Sequence, residues 1–412
     1  MDINDSKIKK FNAQFLNTSE YIVLFSYFIL IVSRVMLFTS IVEFMPVLTV
    51  TLKYVAFCSV SLIACVYLVN PNKTWRQIVC LCLGFGFAFF EMYKTGLQNN
   101  FSMALILGLS LFGVNCTLRK IAYTQGVGML IGSCIPILLS LVHVLPKSGF
   151  ASRVSLAQST YQETEYFFGF NHPNSFGVTL TMGILLFCLG KSVSKSKMLI
   201  ILVGCIFMDY FIGADTVMVA AIVILLGLIL TPLRNKLYLY GCWVTRLLFV
   251  ILPLLCIWLG INSGTAIGQK VSNIIASRPP IWNYYLLLNP IKLIANPPKL
   301  DLSIASTGVI GNGALDGAYI YTLVYWGVLA LILLIVGWLI WIPFKKNPSE
   351  FQWLLLLFIF VVTVMNFSES HMLSYYENTF VLGVGLLQYS SSKRSILIND
   401  WYLGKGSHEN IN

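Results

Sequence analysis

Long apolar runs recur from residue 21 to residue 389, and only two sizeable polar stretches interrupt them, at 146–172 and 262–316. A helix needs about 20 apolar residues to cover ~30 Å of hydrocarbon. Runs of that order lie near 21–41, 47–69, 77–92, 101–117, 125–145, 174–190, 198–213, 216–231, 247–261, 317–343, 351–367 and 372–389. The pattern predicts an all-α fold, a polytopic transmembrane helical bundle of about 12 spans, with residues 1–412 forming a single integral membrane domain. The run from 198 to 231 is too long for one crossing, so Gly213-Ala214-Asp215 is expected to be a tight turn. Each long loop follows an odd number of spans, which puts both on the side opposite the N-terminus. All other connections are short, and they leave no room for a soluble nucleotide-binding or catalytic domain. The first 20 residues are polar and the first span lacks a small-residue cleavage site, so that span is expected to stay as an anchor.

Composition agrees: 57% of residues are hydrophobic and 10% charged, against about 25% charged in a soluble domain. Of the 27 lysines and arginines, 18 fall on the side of the N-terminus and eight on the other, with Arg34 inside the first span. Cytoplasmic loops carry the excess of basic residues, so both termini are expected in the cytoplasm and both long loops outside it. The formal charge of +11 is then a topology signal. It implies no nucleic acid, and the partner it does imply is the lipid bilayer with its anionic headgroups. All ten cysteines lie in or at the ends of apolar spans, which argues against disulfides. Cys80 and Cys82 point to different faces of a helix and make a poor metal pair.

Chemistry is therefore sought in the two loops and the helix ends around them. The first loop ends in Gly169-Phe170-Asn171-His172-Pro173-Asn174-Ser175-Phe176-Gly177. Proline suits the first turn of a helix, where its missing N–H is not needed, so a helix is expected to open at Pro173. The free N–H groups there either hold an anion or are closed by a simple cap. The same loop carries Arg153, Glu163 and Glu165, and on a helix the two glutamates would fall on different faces. The second loop holds Ser277-Arg278-Pro279-Pro280-Ile281-Trp282-Asn283-Tyr284-Tyr285. Arg278 is a permanent cation whose planar fork suits phosphate oxygens, and the rings beside it could stack on a sugar. The competing description is an interfacial helix with an aromatic belt and a snorkelling arginine.

Asp316 stands at the outer mouth of the next span, as a base or as an N-cap. Before the last span, Glu369, His371 and Glu377 come together, with Glu369 and His371 either an acid–base pair or part of a solvated loop. Inside the membrane, Arg34, Glu91 and Asp209 are costly unless paired or lining a polar cavity. Glu91 and Asp209 lie near outer helix ends, where snorkelling accounts for them. Arg34 lies deeper and is the stronger functional flag.

Four stretches in order resemble the O-antigen polymerase and O-antigen ligase family of bacterial envelopes, the Wzy-type polysaccharide polymerases. They are the His172-Pro173-Asn174 motif opening a span, the paired spans around Gly213–Ala221, the Ser277–Trp282 segment, and Leu315–Ile332, which carries Asp316 at the start of a late helix. Together they cover roughly residues 150–335. Members often carry Ser-Arg in the turn between the paired spans. Here Asp215-Thr216 stand there, so no arginine role is assigned to that turn. Some ligases have a histidine near the start of the late helix, and Asp316 in the similar place favours a polymerase.

The resemblance implies a glycosyltransferase of the plasma (inner) membrane, and the outer carboxylates are few and scattered, so no bound metal and no cofactor are expected. Its substrates would be oligosaccharide repeat units on undecaprenyl pyrophosphate, and a chain-length regulator and a flippase of the same pathway would be partners. Such a transfer needs cations at the departing pyrophosphate and a base at the attacking hydroxyl. Arg278 and Arg153 are the expected cations, and Asp316 the expected base, with His172 and Glu369 behind it. Asn174, Trp282, Tyr284, His371 and Arg34 are the expected substrate-binding residues. A ligase of the same family is the first alternative. A lipid-linked oligosaccharide flippase or other transporter is the second, although the loops at 146–172 and 262–316 show no matching half-repeat.

Overall fold

Helices follow in the order α1 (Asp2–Met36), α2 (Ile41–Phe44), α3 (Pro46–Leu68), α4 (Trp75–Thr95), α5 (Asn100–Gly113), α6 (Leu118–Leu141), α7 (Pro173–Lys191) and α8 (Lys195–Ile212). They continue with α9 (Asp215–Ile229), α10 (Arg234–Ile261), α11 (Ala266–Ile274), α12 (Arg278–Leu288), α13 (Ala318–Tyr325), α14 (Val328–Ile340), α15 (Glu350–Ser368), a 3-10 helix (Thr379–Gln388) and α16 (Ser391–Asn399). This computed structural model describes residues 2–71, 73–95, 100–154, 160–191, 193–275, 278–294, 315–342, 346–370 and 373–399, without the side chains of 2–17, 95, 150–154, 160–163, 165 and 399. Seven helices are long and apolar enough to cross a membrane: α1 from Thr18, α3, α4, α6, α7, α10 and α15. The chain is a multi-pass helical membrane protein.

Two ends of the bundle are defined by contacts between distant segments. At one end Lys120 pairs with Glu20 at 2.7 Å, Arg119 donates to the Gly190 carbonyl and Arg234 to that of Pro348. This end gathers the basic turns after α3, α5, α7 and α9. At the other end Ser40 bonds Phe170 and Asn171, while Thr216, Arg278, Asp316 and Glu369 meet. Both long loops emerge there, as the odd number of preceding runs requires.

Several expectations hold locally. A helix opens at Pro173, and α8 stops at Gly213, whose left-handed backbone makes the turn into α9. Others are corrected. The first loop is not all helix or coil: Ser148–Val154 (β1) pairs antiparallel with Thr160–Tyr166 (β2). Glu163 and Glu165 therefore stand on a strand, and the helical-face argument does not apply to them. The run at 247–261 is only the second half of α10, and Arg246, just before it, lies inside the helix, donating to the Ile342 carbonyl at 2.6 Å. The run at 317–343 breaks at Trp326-Gly327 into α13 and α14. Glu91 and Asp209 do not snorkel. Both are fully buried, and Asp209 accepts from Thr181 at 3.0 and 3.2 Å.

The second loop is not wholly outside the bundle. α12 descends against α10 and α13, and Asn289 at its foot donates to the Val324 carbonyl at 2.6 Å. The next carbonyls, of Lys292 and Leu293, accept from Val328 and Leu329 and so satisfy the first N–H groups of α14. A re-entrant half-helix thus fills the break in the α13–α14 span, which is how irregular backbone is tolerated at that depth. The last apolar run is a 3-10 helix of 10 residues, which at ~2.0 Å per residue reaches further than an α-helix of equal length. Gly385 packs directly on the Gly108 carbonyl of α5 and Gly383 on that of Gly337 in α14, so any Cβ at either position would collide with backbone.

Candidate functional site

α15 ends at Glu369, where the backbone turns extended and the carboxylate points back among neighbouring helix ends. Its side chain is 3% exposed, and Oε1 accepts from Arg278 Nη2 at 2.8 Å and from Thr216 Oγ1 at 3.1 Å. Arg278 opens α12 and also donates from Nη1 to the Ile275 carbonyl at 3.0 Å. Its Nη2 lies 3.6 Å from Oδ2 of Asp316, whose Oδ1 accepts from Ser370 Oγ at 3.3 Å. Three of the residues singled out in separate stretches of the sequence, Arg278, Asp316 and Glu369, therefore form one cluster. One guanidinium serves two carboxylates. The Asp316 side chain is 32% exposed, so it is the member of the three that an incoming molecule can reach.

The strap carrying Asp316 is fixed by packing. The indole N–H of fully buried Trp282 donates to the Asp316 carbonyl at 2.6 Å, and the ring meets Phe367 edge-on at 5.6 Å. Gly317 follows with φ +93°, and a Cβ there would lie 3.1 Å from both the Trp282 ring and the Phe367 carbonyl. Two descriptions weighed above fall away. Asp316 is not an N-cap: the cap of α13 is Gly317, and no side chain closes it. Arg278 does not snorkel, because its side chain is 12% exposed and held by carboxylates. Nor do the rings form a headgroup belt. Trp282 and Tyr285 are buried, and Tyr284, half-buried, lies edge-on to Tyr285 at 5.4 Å.

Arg34 sits apart from this cluster at the same end. Its Nη2 donates to Asn100 at 3.3 Å, and its guanidinium carbon lies 5.4 Å from the Tyr376 ring centroid and 5.8 Å from that of Tyr375. Nε is shielded from solvent and has no partner. Its ligands are an amide and two rings, so no carboxylate balances this charge among the described residues.

The His172-Pro173-Asn174 motif does a capping job. The Asn174 N–H donates to His172 Nδ1 at 3.1 Å, and Asn171 is held by Ser40 at 3.1 Å, which ties the end of α1 to the start of α7. His172 is exposed, and its Nδ1 is taken up by the Asn174 N–H. The side chains of Arg153, Glu163 and Glu165, and all of His371, lie outside the described residues. Glu369 takes Arg278 and Thr216 as its hydrogen-bond partners. Glu377 is fully buried and accepts from Thr179 at 3.4 Å.

Four contributors escaped the sequence: Thr216, Ser370, Tyr375 and Tyr376. Thr216 is the most telling, since it stands where the resembled family carries Ser-Arg and here supplies a hydroxyl to Glu369. Among the described residues, no three His, Cys, Asp or Glu side chains gather as a metal-ligand group. Comparison of the chain with protein-family models, curated proteins and solved structures finds no match. The family resemblance rests on the four sequence stretches alone.

Proposed function

We propose that this protein polymerises oligosaccharide repeat units carried on undecaprenyl pyrophosphate, for O-antigen, capsular or exopolysaccharide, at the outer face of the plasma membrane. The observation that carries the proposal is the convergence of Arg278, Asp316 and Glu369, with Trp282 beneath them, at the bundle end opposite the basic turns. That end faces outward under the rule that basic loops stay inside. No sugar nucleotide or ATP is at hand there, so the energy of bond formation has to arrive with the substrate. A pyrophosphate-linked sugar brings it.

In the proposed step, a hydroxyl oxygen of the incoming unit attacks the anomeric carbon of the growing chain. The bond from that carbon to the pyrophosphate oxygen breaks, the lipid pyrophosphate leaves with the electron pair, and Asp316 takes the hydroxyl proton. Arg278 is a positioning residue in this scheme, because two carboxylates already balance its charge and make the cluster a poor seat for phosphate oxygens. The cation for the leaving group is Arg34, which no carboxylate balances among the described residues, and Arg153 of the first loop stays a second candidate on its sequence position.

The finer topology belongs to the same proposal. The seven long helices, with α5, α8, α9, the α13–α14 pair and the 3-10 helix, make twelve crossings with both termini inside. A cysteine placed at exposed Gly264, in a background without native cysteines, is expected to react with a membrane-impermeant thiol reagent in cells lacking an outer barrier. One at Ser194 is not. Labelling of Ser194→Cys alone inverts the orientation and sinks the outer-face assignment.

A strain without the gene is expected to accumulate one lipid-linked repeat unit on the outer leaflet and to lose long polymer. Long polymer left unattached to its final acceptor would instead mark the ligase of the family. The break in α13–α14 and the buried Asp209 and Glu91 are features that transporters also carry. Units trapped on the cytoplasmic leaflet would make the protein a flippase and end the polymerase proposal.

A further inference from the structure

At the basic end of the bundle, a cleft of about 450 Å³ opens between the first turn of α4, the end of α5 and the exit of the 3-10 helix. The proposed reaction leaves it unused. Arg76 and Lys393 line it together with Asn115, Gln77 and Tyr389, and no carboxylate does so among the described residues. Arg76 donates from Nε to the Leu387 carbonyl at 3.0 Å, and Arg394 from Nε to the Tyr389 carbonyl at 3.0 Å. Two guanidiniums are thus anchored, through one edge each, to carbonyls two residues apart. Those partners are neutral, and no carboxylate pairs with either guanidinium among the described residues. Burial, and then the like charge of Arg76, holds the Arg394 guanidinium below its ordinary value. Glu20, on the same end, is engaged by Lys120 at 2.7 Å.

The neutral groups of the cleft are pre-arranged. The Tyr389 hydroxyl donates to the Phe112 carbonyl at 2.7 Å and accepts from Gln77 Nε2 at 3.0 Å. Asn115, in the left-handed region at φ 64°, presents its amide beside that hydroxyl. Trp75, next to Arg76, is 78% exposed, and an exposed tryptophan at the end of a span is the usual marker of headgroup level.

We propose that this cleft binds a phosphate-bearing anion, with Arg76 and Lys393 supplying the charge at its wall, Arg394 adding charge from beside Arg76, and Asn115 a neutral hydrogen-bonding group. Cations held by backbone anchors, with no acidic side chain lining the cleft among the described residues, favour a multiply accepting anion, and the planar fork of arginine matches phosphate oxygens. The anion can come from the headgroup of an anionic lipid in the facing leaflet or from free phosphate.

The test uses the full chain in a neutral detergent at constant ionic strength, because general surface attraction is screened within a Debye length of about 8 Å in physiological salt. Short-chain phosphatidylglycerol, short-chain phosphatidylcholine and inorganic phosphate are titrated separately while thermal unfolding is followed. Phosphatidylglycerol is expected to raise the midpoint and phosphatidylcholine not to. The Arg76→Gln/Arg394→Gln protein is expected to need at least ~10-fold more phosphatidylglycerol for the same rise, a difference of about 1.4 kcal/mol. Lys236→Gln, which removes an exposed lysine at the same end, should respond as the parent does. The Arg76→Lys/Arg394→Lys protein, which keeps the charge, guards against a folding defect and should respond between the two. An equal rise from inorganic phosphate, lost in the double glutamine variant, assigns the site to the free anion. Equal responses of parent and double glutamine variant to both phosphate compounds overturn the proposal.

Discussion

Asp316→Asn is expected to lower polymer formation on the order of 10²–10⁴-fold, the range general-base catalysis supplies, with protein level and thermal midpoint close to the parent. The geometry makes this substitution clean. Asp316 is partly exposed, and Asn keeps an oxygen for Ser370 and the shape that rests on Trp282 through the unchanged backbone carbonyl. No helix cap is disturbed, since the cap of α13 is Gly317. With purified protein and lipid-linked units, the loss should fall on kcat and leave KM nearly unchanged. A uniform rise in KM instead would make Asp316 a binding group, and full polymer would move the base to Glu369 or His172. Reaction in excess chelator is expected to proceed. Activity that returns only with magnesium or manganese would make Asp316 a metal ligand. Arg278→Ala is a poorer probe, because stripping one partner from a buried pair costs roughly 3–5 kcal/mol and takes the guanidinium away from Glu369. Its failure to make polymer would not separate chemistry from folding.

The residue types of this site were legible in the sequence; their meeting was not. Arg278, Asp316 and Glu369 each stood out as a charged residue beside a long apolar run, and the odd count of runs before each loop put them at one end. What brings them within 4 Å is tertiary: α12 runs inward beside α13, and Gly317 lets the strap lie flat on Trp282. Neither feature has a local signal, because an apolar half-helix reads like any loop-borne hydrophobic patch. The hairpin was missed for a different reason. Thr160–Tyr166 carries threonine and tyrosine, which favour strands, but a search for membrane-length apolar runs passes over polar strands. Asp209 was misjudged because depth along a helix says nothing about angle around it. Its partner Thr181 comes from another helix, and only packing shows the two facing.

The same distinction decides what Arg34 is for. A cation that serves the fold should be balanced, as Arg278 is, and replacing it should destabilise the protein. Among the described residues Arg34 has only Asn100 and the faces of Tyr375 and Tyr376, and each cation–π contact contributes roughly 0.5–2 kcal/mol. That is small beside the several kcal/mol that partial desolvation of an unpaired charge costs. Arg34→Met, of similar length and apolar, is therefore expected to leave the thermal midpoint unchanged or raise it, while polymer output falls on the order of 10²–10³-fold, as when one group that stabilises developing charge is removed. Arg34→Lys keeps the charge but not the planar face that lies against two rings, and should restore only part of the output. The deciding measurement pairs the two readouts on the same preparation. A lower midpoint with proportionate loss of polymer would return Arg34 to a structural role, and a normal polymer ladder from Arg34→Met would remove it from the leaving-group site.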